Sequence, residues 1–271
     1  MYIIKRTVRL VKQQGKRGGG QVFFGVLLEF VKMWGQFFYQ RSFFISFFKS
    51  PFLNKKKCIY TVLTGDYDDL LEPECVTPGW DYICVTDNKE LRSECWTFYY
   101  LEPDDDLDNI RLARKHKCFN HLFDYDYDIS IFIDANIVIK GNLNYFLMIS
   151  FDMTSDMAVL FHPYLLSVKE EVDACIAAKR DNKVLMTNQF SNYIENGFVD
   201  SYVQPNTRLL IRKSQSSSIF NFMATWFHEI QSWSYRDQLS FSFSLDKSSS
   251  INIRYIEYWK FLAYFQKKEH K

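Results

Sequence analysis

Three glycine-bearing motifs are missing from this 271-residue sequence: Gly-x-Ser-x-Gly, the P-loop and Gly-x-Gly-x-x-Gly. Without them, serine hydrolase, NTPase and dinucleotide oxidoreductase readings lose their usual support. The six cysteines, Cys58, Cys75, Cys84, Cys95, Cys118 and Cys175, include no Cys-x-x-Cys pair. A zinc site is therefore not expected, and cysteines set mostly within predicted strands and helices point to a reduced, intracellular chain. No uninterrupted apolar run reaches the ~18 residues of a membrane-spanning helix. Internal repeats are also lacking, and the serines at 214–218 and 248–250 mark loops rather than linkers.

Acidic residues are nearly missing from the first 57 positions, which hold 12 of the 33 Lys and Arg but only Glu29 of the 32 acids. That segment carries +11, so residues 58–271 carry −10 within a total of +1. From Val22 to Phe48 the chain is rich in Phe, Leu, Val, Ile, Trp and Tyr. At ~100° per residue Gly25, Glu29, Lys32, Gln36 and Gln40 share one narrow arc. A thin polar stripe flanked by Lys and Arg suits a helix lying in lipid headgroups; packing on its own domain or in a homo-oligomer interface is the other reading. The long, partly charged apolar region lacks a clear small-residue cleavage site, unlike a signal peptide. Gly18, Gly19 and Gly20 read as a flexible break before the helix. The division expected is a basic, aromatic segment over 1–57 and one domain over 58–271.

Past Lys57 strands and helices alternate. Cys58–Leu63, Tyr82–Thr86, Trp96–Tyr100, Ile129–Ile133, Met157–Leu160, Thr207–Ile211 and Ile251–Tyr255 read as strands. Helices are expected over Asn109–Phe123, Lys169–Lys179, Val184–Asn196, Ser218–Trp233 and Trp259–Phe265, with a short helical stretch opening at Arg236-Asp237-Gln238. This order predicts an α/β fold with a mostly parallel sheet, whose ligands sit at the carboxyl ends of its strands. Gly65, Asp66, Asp87, Asp134 and Asn136 all fall there. Asp134 and Asn136 follow a β-branched, aromatic run, and oxygen side chains two residues apart project the same way. That pair suits Mg²⁺ or Mn²⁺; a turn cap is the plainer reading of the same residues. The acids at 104–108 read as a solvated helix start.

On the helix that follows, Arg111, Arg114, Lys117 and His121 recur at spacings of three and four and share one face. Beside a ligand edge such a face can bind phosphate, Arg as a fork and Lys as a point charge. A solvated face paired with nearby acids fits equally well. His162 and His121 stand at positions of interest, and each also has a structural reading.

The order Tyr60-Thr61, Gly65, Tyr67-Asp68, Tyr82-Ile83-Cys84, Thr86-Asp87-Asn88, Ala113-Arg114, Lys117, His121, Ile133-Asp134-Ala135-Asn136-Ile137 continues through His162-Pro163, Glu170-Glu171, Cys175-Ile176, Gln189, Tyr193, Gly197-Phe198, Arg212, Trp226, Glu229 and Arg236 to Phe241. Over roughly residues 58–245 it resembles a glycosyltransferase-like family of bacterial polysaccharide loci and plant wall-polysaccharide enzymes. The chain departs from that pattern at Leu165, where a basic residue is usual, and near Asn206, where an acid is usual. Asn136 also stands where a second carboxylate is common.

The resemblance implies a GT-A-like nucleotide-diphospho-sugar transferase fold, with Asp134-Ala-Asn136 in the place of Asp-x-Asp. Asp134, Asn136 and His162 would hold a divalent cation, Mn²⁺ or Mg²⁺. Thr61, Gly65, Asp66, Tyr67, Asp87, Arg111, Arg114 and Lys117 would bind the nucleotide-diphospho-sugar donor, and Asp237 with Gln238 would act on the acceptor, Asp237 having an N-cap as its other role. A glycan or lipid-linked glycan acceptor, an anionic membrane surface and no nucleic acid are the partners implied. The setting expected is peripheral, on the cytoplasmic face of a bacterial inner membrane, in lipopolysaccharide, capsule or other surface polysaccharide synthesis. A catalytically silent scaffold of a polysaccharide-assembly complex is the main rival. A methyltransferase would need a more glycine-rich first loop than Gly65-Asp66-Tyr67-Asp68, and a secretory-pathway enzyme anchored by residues 22–48 is disfavoured by the charged stripe.

Overall fold

The computed structural model describes residues 50–271 apart from 66, 103, 120–126, 201–202, 215, 249–250 and 271. The amphipathic helix expected over 22–48, Asp66 and His121 lie outside the described residues. The unit that carries the fold runs from Asn54 to Lys271. Among the described residues no helix is long and apolar enough to cross a membrane.

In chain order the elements are β1 (Lys57–Leu63), β2 (Asp81–Thr86), β3 (Thr97–Tyr100), α1 (Asn109–Cys118), β4 (Ile129–Ile133), β5 (Ile137–Ile139), α2 (Leu143–Ser150), β6 (Met157–Phe161), α3 (Val168–Ala177), α4 (Lys183–Glu195), β7 (Pro205–Lys213), α5 (Ser217–Ser232), α6 (Asp237–Asp246), β8 (Ile253–Ile256), α7 (Tyr258–Tyr264) and β9 (Phe265–Lys267). Seven strands form one sheet in the order β3-β2-β1-β4-β7-β6-β8. Every strand runs parallel to its neighbours except β7, which is antiparallel to both β4 and β6. The expected mixed α/β, mostly parallel architecture is therefore what the chain adopts. β1 and β4 are buried at every position, as unbroken apolar runs covered on both faces must be. Edge strand β3 is largely exposed.

Two junctions position the ligand edge. Just past β4, the Asp134 amide donates to the Arg208 carbonyl at 2.9 Å and the Ile137 amide to the Asp134 carbonyl at 3.1 Å. The chain thus turns sharply at Asp134–Ile137 and leaves the main sheet. β5 pairs instead with β9 in a separate antiparallel ribbon, which brings the C-terminal residues beside Asn136. The second junction is the end of α1. The buried Arg212 donates from Nη1 to the carbonyls of Lys117 and Cys118 at 2.8 and 3.1 Å, and the Tyr60 hydroxyl donates to that of Lys117 at 2.8 Å. A buried cation on the last carbonyls offsets the negative end of the helix dipole. Its other end is capped by Asp108, which accepts from the Arg111 amide. α1 is thereby fixed against β1 and β7, with Arg114 facing the carboxyl edge.

Candidate functional site

A cavity of about 870 Å³ opens at the carboxyl ends of β1 and β4. Its wall takes Gly65, Tyr67 and Asp68 from the β1 loop, Arg114 from α1, Asp134 and Asn136 from the β4–β5 turn, and His162 from the end of β6. Glu171 of α3, Arg208 of β7, Arg236, Asp237 and Gln238 at the start of α6, and His270 also line it. A smaller hollow of about 560 Å³ near β2 and β3 is lined by Trp80, Tyr82, Phe98 and Tyr99 and has no basic side chain, so it cannot answer a diphosphate.

Gly65 has φ +62, a left-handed conformation that favours glycine, and a Cβ there would lie 2.9 Å from Asn109 Nδ2, so that side chain would have to shift. Its amide donates to both oxygens of Asp87, at 3.1 and 3.0 Å. Asp87 thus shapes the loop through a backbone amide instead of lining the cavity. At the end of α3, Lys179 takes φ +51, a left-handed turn usually given to glycine. That turn carries Lys179 and Arg180 to the cavity wall, a strained backbone at a ligand edge.

Lys117 is only 1 % exposed, its Nζ 2.5 Å from Asp237 and 3.5 Å from Asp134, over the rings of Phe132 and Trp226. It cannot present a free charge to a donor, a correction to its expected role. Asp237 is likewise buried and also accepts from the Thr207 hydroxyl at 3.0 Å, with Arg114 3.8 Å away. Burial alone would raise its carboxyl, but Arg114 and Lys117, with Arg236, outweigh it and hold the group well below the usual carboxylate range. With Lys117 and the Thr207 hydroxyl both on its Oδ2, Asp237 stands as a counter-ion within the wall and not as the expected base. Arg111 is also corrected: Nε and Nη2 donate to the carbonyls of Ile230 and Trp233 at the end of α5, and Nη1 pairs with Asp108 at 2.6 Å. Thr61 is buried within β1 and does not line the cavity.

His162 cannot serve as the expected metal ligand in this arrangement. Its Nδ1 accepts from the Leu165 amide at 2.8 Å, which places the proton on Nε2 and leaves no lone pair there. Burial first, and then Arg208, push its pKa down to about 4; burial and Lys115 do the same for His116. Both folded values lie below the ~6.5 of an unfolded histidine. Their stabilisation is present above that pH and is lost as pH falls toward 4. Thermal unfolding followed from pH 7 to pH 4 should show a loss of about 2–3 kcal/mol per histidine, and His162→Gln should flatten the profile by roughly one histidine's share. A profile unchanged by that substitution would contradict a buried neutral His162.

Two residues of the wall had no role expected of them from the sequence. His270 donates from Nδ1 to Asp68 at 2.8 Å, and its Nε2, an acceptor in that tautomer, faces Asn136 Nδ2 at 3.3 Å. Asn136 Nδ2 also donates to the Lys268 carbonyl at 3.0 Å. The β5–β9 ribbon brings these positions together, and no local spacing links His270 to Asn136 in the sequence. Glu171 is the other. It sits on the stripe of Val168, Val172 and Cys175, where a carboxylate at a core-facing position was a readable signal. Among the described residues no three His, Cys, Asp or Glu side chains form a metal-binding cluster.

The glycosyltransferase-like domain model of TOD1/MUCI70 matches residues 107–270, which span α1, the β4–β5 turn, α3, α6 and His270 and leave out the Gly65 loop. Among solved structures, the apo WbbM bifunctional glycosyltransferase is similar at 9% identity with a TM-score of 0.42, over 76% of this chain and 40% of that one. This chain therefore spans well under half of that neighbour's length. No curated protein matches. With the family model covering more than half of the sequence, and most of the cavity wall, the chain belongs to the TOD1/MUCI70 glycosyltransferase-like family.

Proposed function

We propose that this protein moves a sugar from a nucleotide-diphospho-sugar to a glycan acceptor, in a GT-A-like site at the carboxyl edge of the sheet. One observation carries the reading: Asp134 faces a cavity walled by Arg114, Arg208 and Arg236. Guanidinium groups gathered along a cavity wall suit a phosphate, which can accept from their N–H donors. The donor set also fits a hard divalent cation. Asp134 would supply a carboxylate, Asn136 its Oδ1 and His270 its Nε2, with Asp68 behind the imidazole fixing its tautomer. Bound there, Mn²⁺ or Mg²⁺ would neutralise charge on the departing diphosphate. Arg114 and Arg236 would hold the phosphates, Gly65 would let the backbone approach the nucleoside, and Tyr67 would flank it. Residues 1–57, with their +11 charge, would hold the enzyme to an anionic membrane where a lipid-linked glycan is extended. The bacterial inner membrane and a surface polysaccharide are the setting that the sequence resemblance favours.

Thermal unfolding of the full chain with UDP-glucose, UDP-galactose, UDP-N-acetylglucosamine or GDP-mannose, with and without MnCl₂, tests this reading. A ligand at ~100 times its Kd stabilises by about 2.7 kcal/mol, which at this size raises Tm by roughly 5–10 °C. At least one donor should do so, and more strongly with Mn²⁺. A flat response to all four, and to UDP and GDP, would overturn it.

A further inference from the structure

Glu171 lines the cavity while only 4 % exposed, and the proposed donor contacts do not use it. Three features hold it there. The N-terminus of α3 is capped by Ser167, which accepts from the Glu170 amide, and by Asp200, which accepts from Val168 and Lys169. The first turn therefore has a fixed direction. Val168, Val172 and Cys175 anchor the same helix face in the core. The Cys175 thiol donates to Glu171 Oε1 at 3.3 Å, and Gln238 hydrogen-bonds the same side chain. The groups facing the carboxyl are His162, with Nε2 at 4.0 Å, Arg236, with Nη2 at 3.9 Å, and the Asp237 carboxylate.

We infer that Glu171 is the catalytic base that takes the proton from the acceptor hydroxyl. The inference rests on the transferase reading above. In the step, the acceptor O–H gives its proton to a Glu171 oxygen while the acceptor oxygen forms a bond to the anomeric carbon. The bond from that carbon to the diphosphate oxygen breaks, and its electron pair leaves with the nucleoside diphosphate. Charge is conserved: the carboxylate becomes a neutral acid and the diphosphate gains the negative charge. Of the two buried carboxylates in the wall, Glu171 has no cation closer than 3.9 Å among the described residues, whereas Asp237 has Lys117 at 2.5 Å. Burial pushes the Glu171 carboxyl up, although Cys175 and Arg236 oppose it. The two acids thus diverge, one fixed as an anion and one able to accept a proton. His162, whose protonated Nε2 faces Glu171 Oε2, would orient the carboxylate.

The test uses the full chain, the four nucleotide sugars of the thermal screen and MnCl₂, with water as acceptor and released UDP or GDP as readout. Glu171→Gln should bind UDP or GDP within about twofold of wild type yet release it at least ~100-fold more slowly, the usual scale of a lost general base. Wild-type rates should rise with pH to a plateau, with a midpoint above the ordinary glutamate value, and that limb should vanish in Glu171→Gln. Glu171→Asp keeps the charge but withdraws it by one methylene, and should fold normally with a loss of at least tenfold. A Glu171→Gln rate within threefold of wild type would overturn the assignment while leaving the transferase reading intact. A wild-type chain that binds no nucleotide would overturn that reading, and the assignment with it. Variants that bind normally but keep the wild-type pH profile would show that Glu171 is not the group that titrates.

Discussion

Asp237→Ala should cost about 3–5 kcal/mol of folding stability, because it strips the counter-charge from a buried cation. Lys117 is 1 % exposed and its Nζ lies 2.5 Å from Asp237. Its remaining partner, Asp134, is 3.5 Å away, with a side chain 34% exposed. Arg114 and Arg236 would lose the same anion, leaving three cations around one gap. Against the roughly 5–15 kcal/mol of a typical domain, that is a large share. Urea unfolding of the variant should show a much lower midpoint. A paired Lys117→Met and Asp237→Leu variant should recover much of the loss, since apolar residues of similar size often replace a buried pair without penalty. The carboxyl is depressed in the folded state, so its stabilisation is present above the ~3.9 of an unfolded Asp and disappears as pH falls below it. If Asp237→Ala unfolds at the wild-type midpoint, the buried Lys117–Asp237 pair does not hold α1 to α6.

The elements that could be read directly were those whose pattern is local. Helices expected at Lys169–Lys179, Val184–Asn196 and Ser218–Trp233 appear as α3, α4 and α5 with ends shifted by a residue or two. The strand ending at Asp134 is β4. What could not be read was long-range. β7 turns antiparallel against β4, and nothing in the run from Thr207 to Ile211 records its direction. The β5–β9 ribbon that sets His270 against Asn136 joins residues 134 positions apart. Spacing placed Arg111, Arg114 and Lys117 on one face of α1, and they do share it. The different fates of these cations follow from what packs on that face: the end of α5 takes Arg111, Asp237 takes Lys117, and Arg114 remains at the cavity. Asp237 was visible as an acid at a helix start, but its burial depends on Lys117, 120 positions earlier.

Removing the Asp134 side chain should have the largest effect on ligand binding. Asp134 is the one carboxylate of the proposed cation set, and its side chain is about one-third exposed toward the cavity. Without it, Asn136 and His270 offer two neutral ligand atoms, which hold a hard divalent cation weakly. Asp134→Ala should therefore lose at least ~100-fold in Mn²⁺-dependent affinity for nucleoside diphosphate. Lys117 keeps Asp237 in that variant, so melting in the absence of ligand should stay within a few degrees of wild type. The decisive measurement is calorimetric titration of UDP and GDP into wild type and Asp134→Ala, each with MnCl₂ and with EDTA. Binding should be strong only for wild type with Mn²⁺, and equally weak in the other three combinations. Equal affinity of the two proteins in Mn²⁺, with both folded, would contradict it.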